Sequence, residues 1–138
     1  MTAREIFQAA LDAEKEIRNI QRRKQHYLDV ATGMSGMSET NIRSHSGRSR
    51  VEKAALELAE LSDRLDREAE QYAAAVKRAE DLIRKLKKPR HREVLELRYL
   101  AGHSWRTVAD EMDYQDIKSA FRVHGWALLE AQKILTGG

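Results

Sequence analysis

RHREVLELRYLAGHSWRTVADEMDYQDIKSAFRVHGWAL, residues 90–128, is the stretch whose reading decides the fold. It divides into three helices. The first carries Val94, Leu95, Leu97, Tyr99 and Leu100 and stops at Ala101-Gly102. The second opens at Ser104, whose hydroxyl can accept from the free N–H groups of a first turn, and runs through Val108, Ala109 and Met112. Asp113-Tyr114 turns the chain, and the third helix starts near Gln115 or Asp116. A small residue, Ala109, stands where two helices must approach closely. Helix, tight turn, helix is the layout of a helix-turn-helix.

Upstream of this head, Pro89 cannot donate the next backbone hydrogen bond and restricts Lys88 before it. It is expected to end the preceding helix and to separate residues 1–88 from residues 89–138. Residues 50–88 read as a long helix with Ser49 as its cap. Val51, Ala54, Leu58, Leu61, Leu65, Glu68 and Tyr72 recur in alternating steps of three and four, and the seam continues through Ala75, Ala79, Leu82 and Leu86. Residues 32–49 are rich in Gly, Ser, Thr and Asn and read as a flexible loop, which also carries Arg43, His45 and Arg48. Residues 3–31 read as another helix. Its seam of Ile6, Ala10, Ala13, Ile17, Ile20, Tyr27 and Ala31 is interrupted by Lys24 and widened by Phe7, Leu11 and Leu28. At ~1.5 Å per residue the two helices measure roughly 40–45 and 55–60 Å, and each needs a partner for its apolar seam. The expected architecture is all-α: a long antiparallel helical hairpin, coiled-coil-like, followed by a three-helix helix-turn-helix domain. The longer helix leaves part of its seam uncovered, which permits a homodimer.

The net charge of +3 over 138 residues is unevenly spread. Residues 1–50 sum to +3, residues 51–83 to −4 and residues 84–138 to +4. The sharpest cluster, Arg84, Lys85, Lys87, Lys88, Arg90 and Arg92, lies where the head begins. The plain reading of it is a solvated helix end that also suits the helix dipole. The functional reading is a face for phosphates, since Lys and Arg dominate contacts to the DNA backbone. With no cysteine there is neither a disulfide framework nor a thiolate zinc site. No apolar run has the length of a signal peptide core or a membrane span, so the expected compartment is a bacterial cytoplasm.

At His91–Leu100, Ser104–Met112 and Phe121–Leu128 the chain resembles the C-terminal DNA-binding domain of bacterial sigma factors, region four. It more closely resembles small phage and prophage proteins that place such a domain behind a helical hairpin, including regulators of the late-gene activator type. The resemblance covers about 40 residues of the head and extends loosely to the hairpin. It implies binding to promoter-type double-stranded DNA, with the hairpin serving self-association or contact with RNA polymerase. The turn position often held by glycine is Asp113, a residue that tolerates left-handed geometry better than most. The apolar pattern after the turn fits best with one extra residue between Tyr114 and Ala120, which places Ala120 and Val123 in the core.

Carried over by position, the residues facing DNA are Gln115, Asp116, Lys118, Ser119 and Arg122 at the start of the third helix. Arg122 is suited to guanine, Gln115 to adenine, and Lys118 to a phosphate. Arg106 at the start of the preceding helix, with Arg90 and Arg92, is expected on phosphates. Trp105 and Trp126 are expected to pack between helices rather than on bases, and Tyr99 and Tyr114 to be core or hinge residues. The five histidines show no ligand spacing, the carboxylates lie on charged helix faces, and no glycine loop cradles a phosphate. The sequence therefore reads as a non-enzymatic protein without a cofactor. Two other functions fit the same pattern. One is a terminase small subunit for phage DNA packaging. The other is a sigma-like protein-interaction module without DNA binding, favoured by Asp110, Glu111, Asp113 and Asp116 around the turn.

Overall fold

The computed structural model describes residues 1–31 and 45–137. The chain is all-α. In order it forms α1 (Ala3–Ala31), α2 (His45–Lys85), α3 (Pro89–Leu95) continuing into a π-helical turn (Glu96–Leu100), α4 (Trp105–Glu111) and α5 (Ile117–Leu135). Contacts gather it into two compact units, one of Met1–Glu16 with Tyr72–Gly138, the other of Ile17–Gln71. The division cuts both long helices instead of falling at Pro89, so the first half of α1 belongs to the same unit as the head.

In the first unit, α1 is started by a capping box. Thr2 Oγ1 accepts from the Glu5 N–H at 3.2 Å and Glu5 Oε1 accepts from the Thr2 N–H at 2.9 Å, which holds the Glu5 carboxyl below its ordinary range. Gln132 of α5 accepts from the Ala3 N–H at 2.8 Å, satisfying another free donor of that first turn. Ala3, Ile6, Phe7, Ala10 and Leu11 recur on one face of α1 and are buried. They share one core with Ala79, Leu82 and Ile83 of α2, with Leu86 just beyond it, and with the inner faces of α3, α4 and α5. Phe7 stacks on Tyr99, ring centroids 5.5 Å apart.

The α2–α3 junction differs from the expected one. α2 stops at Lys85, and Leu86 is buried in the bend. Lys88 is extended (φ −85°, ψ 120°), as a residue before proline should be, and Pro89 opens α3 from its first turn. Pro89 is thus a helix start and not a helix end. α2 also begins at His45, so Ser49 lies within the helix and not at its start. Residues 32–44 of the expected loop lie outside the described residues.

In the second unit, Ile20 and Leu65 are buried. Arg23 pairs with Glu68 at 3.3 Å and Lys24 with Asp66 at 2.6 Å, so the charge that interrupts the α1 seam has a partner on α2. Both pairs are exposed and contribute little to stability. Tyr27 and Leu28, expected on the seam, are exposed. With Lys24, Leu58, Leu61 and Leu65 they line an open groove. Among the described residues no helix is long and apolar enough to cross a membrane.

Candidate nucleic-acid interface

The segment α4–turn–α5 is shaped by local chemistry. Ser104 caps α4, its Oγ accepting from the Thr107 N–H at 3.2 Å. At the other end the Asp113 N–H donates to the Asp110 carbonyl at 3.1 Å and the Tyr114 N–H to the Ala109 carbonyl at 2.8 Å. These two bonds form a Schellman motif, which needs a left-handed residue at the position Asp113 occupies, and its φ is +60°. Asp116 then caps α5, Oδ1 accepting from the Lys118 N–H at 2.9 Å. Ala109 and Val108 of α4 and Ala120 and Val123 of α5 are buried between the helices, the register expected with one extra turn residue. Ahead of α4, the Ala101 N–H reaches the Glu96 carbonyl at 2.8 Å and Gly102 takes φ +73°, which ends the π-helical turn where the sequence places a stop.

Two buried histidines lock the helices. His124 Nε2 lies 2.7 Å from Tyr99 Oη. Burial pushes the His124 pKa down to about 4, with the charges of Arg4 and Arg98 acting the same way, so the imidazole that shares this hydrogen bond with the phenol is neutral. Burial also raises the Tyr99 pKa, which keeps the phenol proton in place. His91 Nδ1 lies 2.8 Å from Glu130 Oε1, and Glu130 Oε2 accepts from the Lys87 N–H at 2.8 Å. Partial burial pushes the Glu130 carboxyl up, but the Lys87 N–H and the His91 ring outweigh it and the net shift is downward. Trp105 packs edge-on against Phe121 and His124, with the Arg98 guanidinium 4.8 Å over its ring. Among the described residues no three potential metal-ligating side chains come together.

The eight sequence-chosen residues fall into different situations. Lys118 and Arg122 are exposed on the first two turns of α5, and Arg106 is exposed on α4. No hydrogen bond or ion pair among the described residues engages these three side chains. Gln115 is exposed but precedes the cap, so it stands before α5 and not on it. Asp116 is committed to capping, which explains a carboxylate at this place without a base to read. Ser119 is half-buried. Arg90 donates to Tyr114 Oη and lies 5.0 Å from the Tyr114 ring, still exposed and fixed beside the start of α5. Arg92 turns inward: Nη1 donates to the Leu86 carbonyl at 2.6 Å and satisfies an acceptor at the end of α2.

Three features escaped the sequence reading. Trp126, expected to be packed, is 52% exposed, and the large apolar residues Phe121 and Leu135 of α5 are 47% and 40% exposed. Trp126 also lines a shallow cleft with Lys88, Pro89, Arg90, His91 and Val123. That cleft brings the start of α3 beside the middle of α5, a proximity that no local pattern encodes. No protein-family model, no curated protein and no solved structure matches the chain.

Proposed function

We propose that the protein is a DNA-binding transcription regulator of phage or prophage type. In this reading α3–α5 form a sigma-region-four-like helix-turn-helix head, and α1 and α2 form an antiparallel hairpin for self-association or RNA polymerase contact. The observation that carries the proposal is the exposure of Lys118 and Arg122, unpaired on the first turns of α5 behind the tight turn at Asp113. A helix entering the major groove presents side chains from these turns to bases and phosphates. Arg90, held on Tyr114, adds a cation beside them.

The test is a salt titration of binding to duplex DNA, comparing fragments from the protein's own genomic neighbourhood with random sequence. A steep fall in affinity with salt and a preference for a native fragment support the reading. Its slope counts phosphate contacts at about 0.9 per contact. Absence of binding at low salt overturns it. A second reading, a protein-binding module of sigma-like shape, draws on the exposed Asp110, Glu111 and Asp113, which repel phosphate. It predicts retention on RNA polymerase without DNA. A packaging terminase subunit is the remaining alternative and predicts a large ring in solution in place of a monomer or dimer.

A further inference from the structure

Gly125 sits in the interior of α5, on its exposed side. A Cβ built there meets nothing within 4 Å, and its φ lies outside the left-handed region that favours glycine. The fold therefore does not require glycine, which weakens a helix interior relative to alanine. Lys118, Arg122, Leu129 and Lys133 are spaced around Gly125 at helical intervals and are all exposed. Lys118 to Lys133 spans about 22 Å of helix. At the edge of this face, exposed Trp126 shares its cleft with Lys88 and Arg90. The nearest carboxylates in sequence are already engaged, Asp116 as the α5 cap and Glu130 by Lys87 and His91.

We infer that α5 lies lengthwise along duplex DNA, with Gly125 at the point of closest approach and the Lys88–Arg90–Trp126 cleft against the sugar-phosphate backbone of one strand. The inference rests on the DNA-binding reading and extends it from the first turns of α5 to its middle. A missing Cβ lets a partner's backbone come closer than any other residue allows. The cations on both sides of Gly125 suit a polyanion, and the indole offers an apolar body to deoxyribose with its N–H free to donate. A second copy of the same face is disfavoured, because it sets Lys118, Arg122 and Lys133 against like charges.

The experiment compares the full-length wild type with Gly125→Ala, Lys88→Ala and Trp126→Phe. Each is measured by thermal melting and by anisotropy of a labelled duplex that the wild type binds, over a range of salt. Gly125→Ala is expected to raise Tm while weakening duplex binding roughly tenfold or more, a combination that a purely structural role does not produce. Lys88→Ala is expected to lower the salt slope by about one. Duplex is expected to change the tryptophan emission of the wild type, and to change it much less in Trp126→Phe. Equal binding by wild type and Gly125→Ala, with tryptophan emission indifferent to DNA, overturns this inference and leaves the contacts of Lys118 and Arg122 standing. A wild type that binds no duplex overturns both, and the face then belongs to an acidic protein partner.

Discussion

Tyr99 and His124 share a hydrogen bond in the interior of the first unit, Oη to Nε2 at 2.7 Å, between the Phe7 and Trp105 rings. The pair joins the π-helical turn to α5, and burial favours the neutral imidazole in it. In the unfolded chain His124 takes up a proton near pH 6.5, in the folded chain only at about 4. Above pH 6.5 both states are neutral there and stability is full. Between pH 6.5 and 4 the unfolded state binds the proton first, so stability falls as pH falls, by on the order of 2–3 kcal/mol in all. Urea denaturation at pH 7.5, 6 and 5 checks this. His124→Gln should flatten the dependence in that window, and an unchanged profile removes His124 as its source.

Asp113 holds a left-handed conformation at a position where the Schellman motif favours glycine. Asp113→Gly relieves the Cβ strain without touching either turn hydrogen bond and should stabilise the protein by up to about 1 kcal/mol. A β-branched residue at the same place should destabilise by at least as much. Thermal melting of Asp113→Gly and Asp113→Val gives the two signs, and a destabilised glycine variant speaks against the motif.

What could be read in the sequence here is what short-range chemistry decides. Ser104 as a cap, Gly102 as a stop, Asp113 in the turn, and Ala120 and Val123 in the core each follow from a few neighbouring residues. Thr2 and Glu5 carry capping-box spacing too, a local signal of the same kind. Pro89 shows where local rules run out. The same ring that forbids a helix interior favours a helix first turn, and the residues around it do not decide between them. The heptad seam of α1 marks an apolar face without naming its partner, so the membership of Ile6 and Phe7 in the head core was not legible. Nor was the end of burial before Tyr27 and Leu28, where the pattern continues and the packing does not. Charge alone does not distinguish Arg92, tied to a carbonyl, from Arg122, free in solvent.

Glu130 binds both the His91 ring, through Oε1, and the Lys87 N–H, through Oε2. Glu130→Ala leaves buried His91 without that partner and opens the α2–α3 bend, so it should cost about 1–3 kcal/mol. Glu130→Gln keeps an acceptor and should recover part of the loss. The charged form of Glu130 is favoured by folding, so its contribution is present above the ordinary carboxylate range and lost as pH falls through its depressed pKa. A wild-type-like urea midpoint for Glu130→Ala at pH 7 makes the bend independent of this pair.

The cations of the head should separate by role. Arg122→Ala removes an exposed side chain with no partner among the described residues, so stability should stay within about 0.5 kcal/mol. Its binding to a preferred duplex should weaken by about 1–3 kcal/mol if it reads a base, and sequence preference should relax at one position. Lys118→Ala should weaken all duplexes alike and lower the salt slope by about one. Arg92→Ala should behave in the opposite way. It frees the Leu86 carbonyl at the end of α2 and should cost roughly 1 kcal/mol of stability, with DNA binding by the folded protein intact. Anisotropy titrations beside melting curves resolve the three patterns. An Arg92→Ala that melts like wild type but loses DNA returns Arg92 to the phosphate face and removes the structural role given to it here.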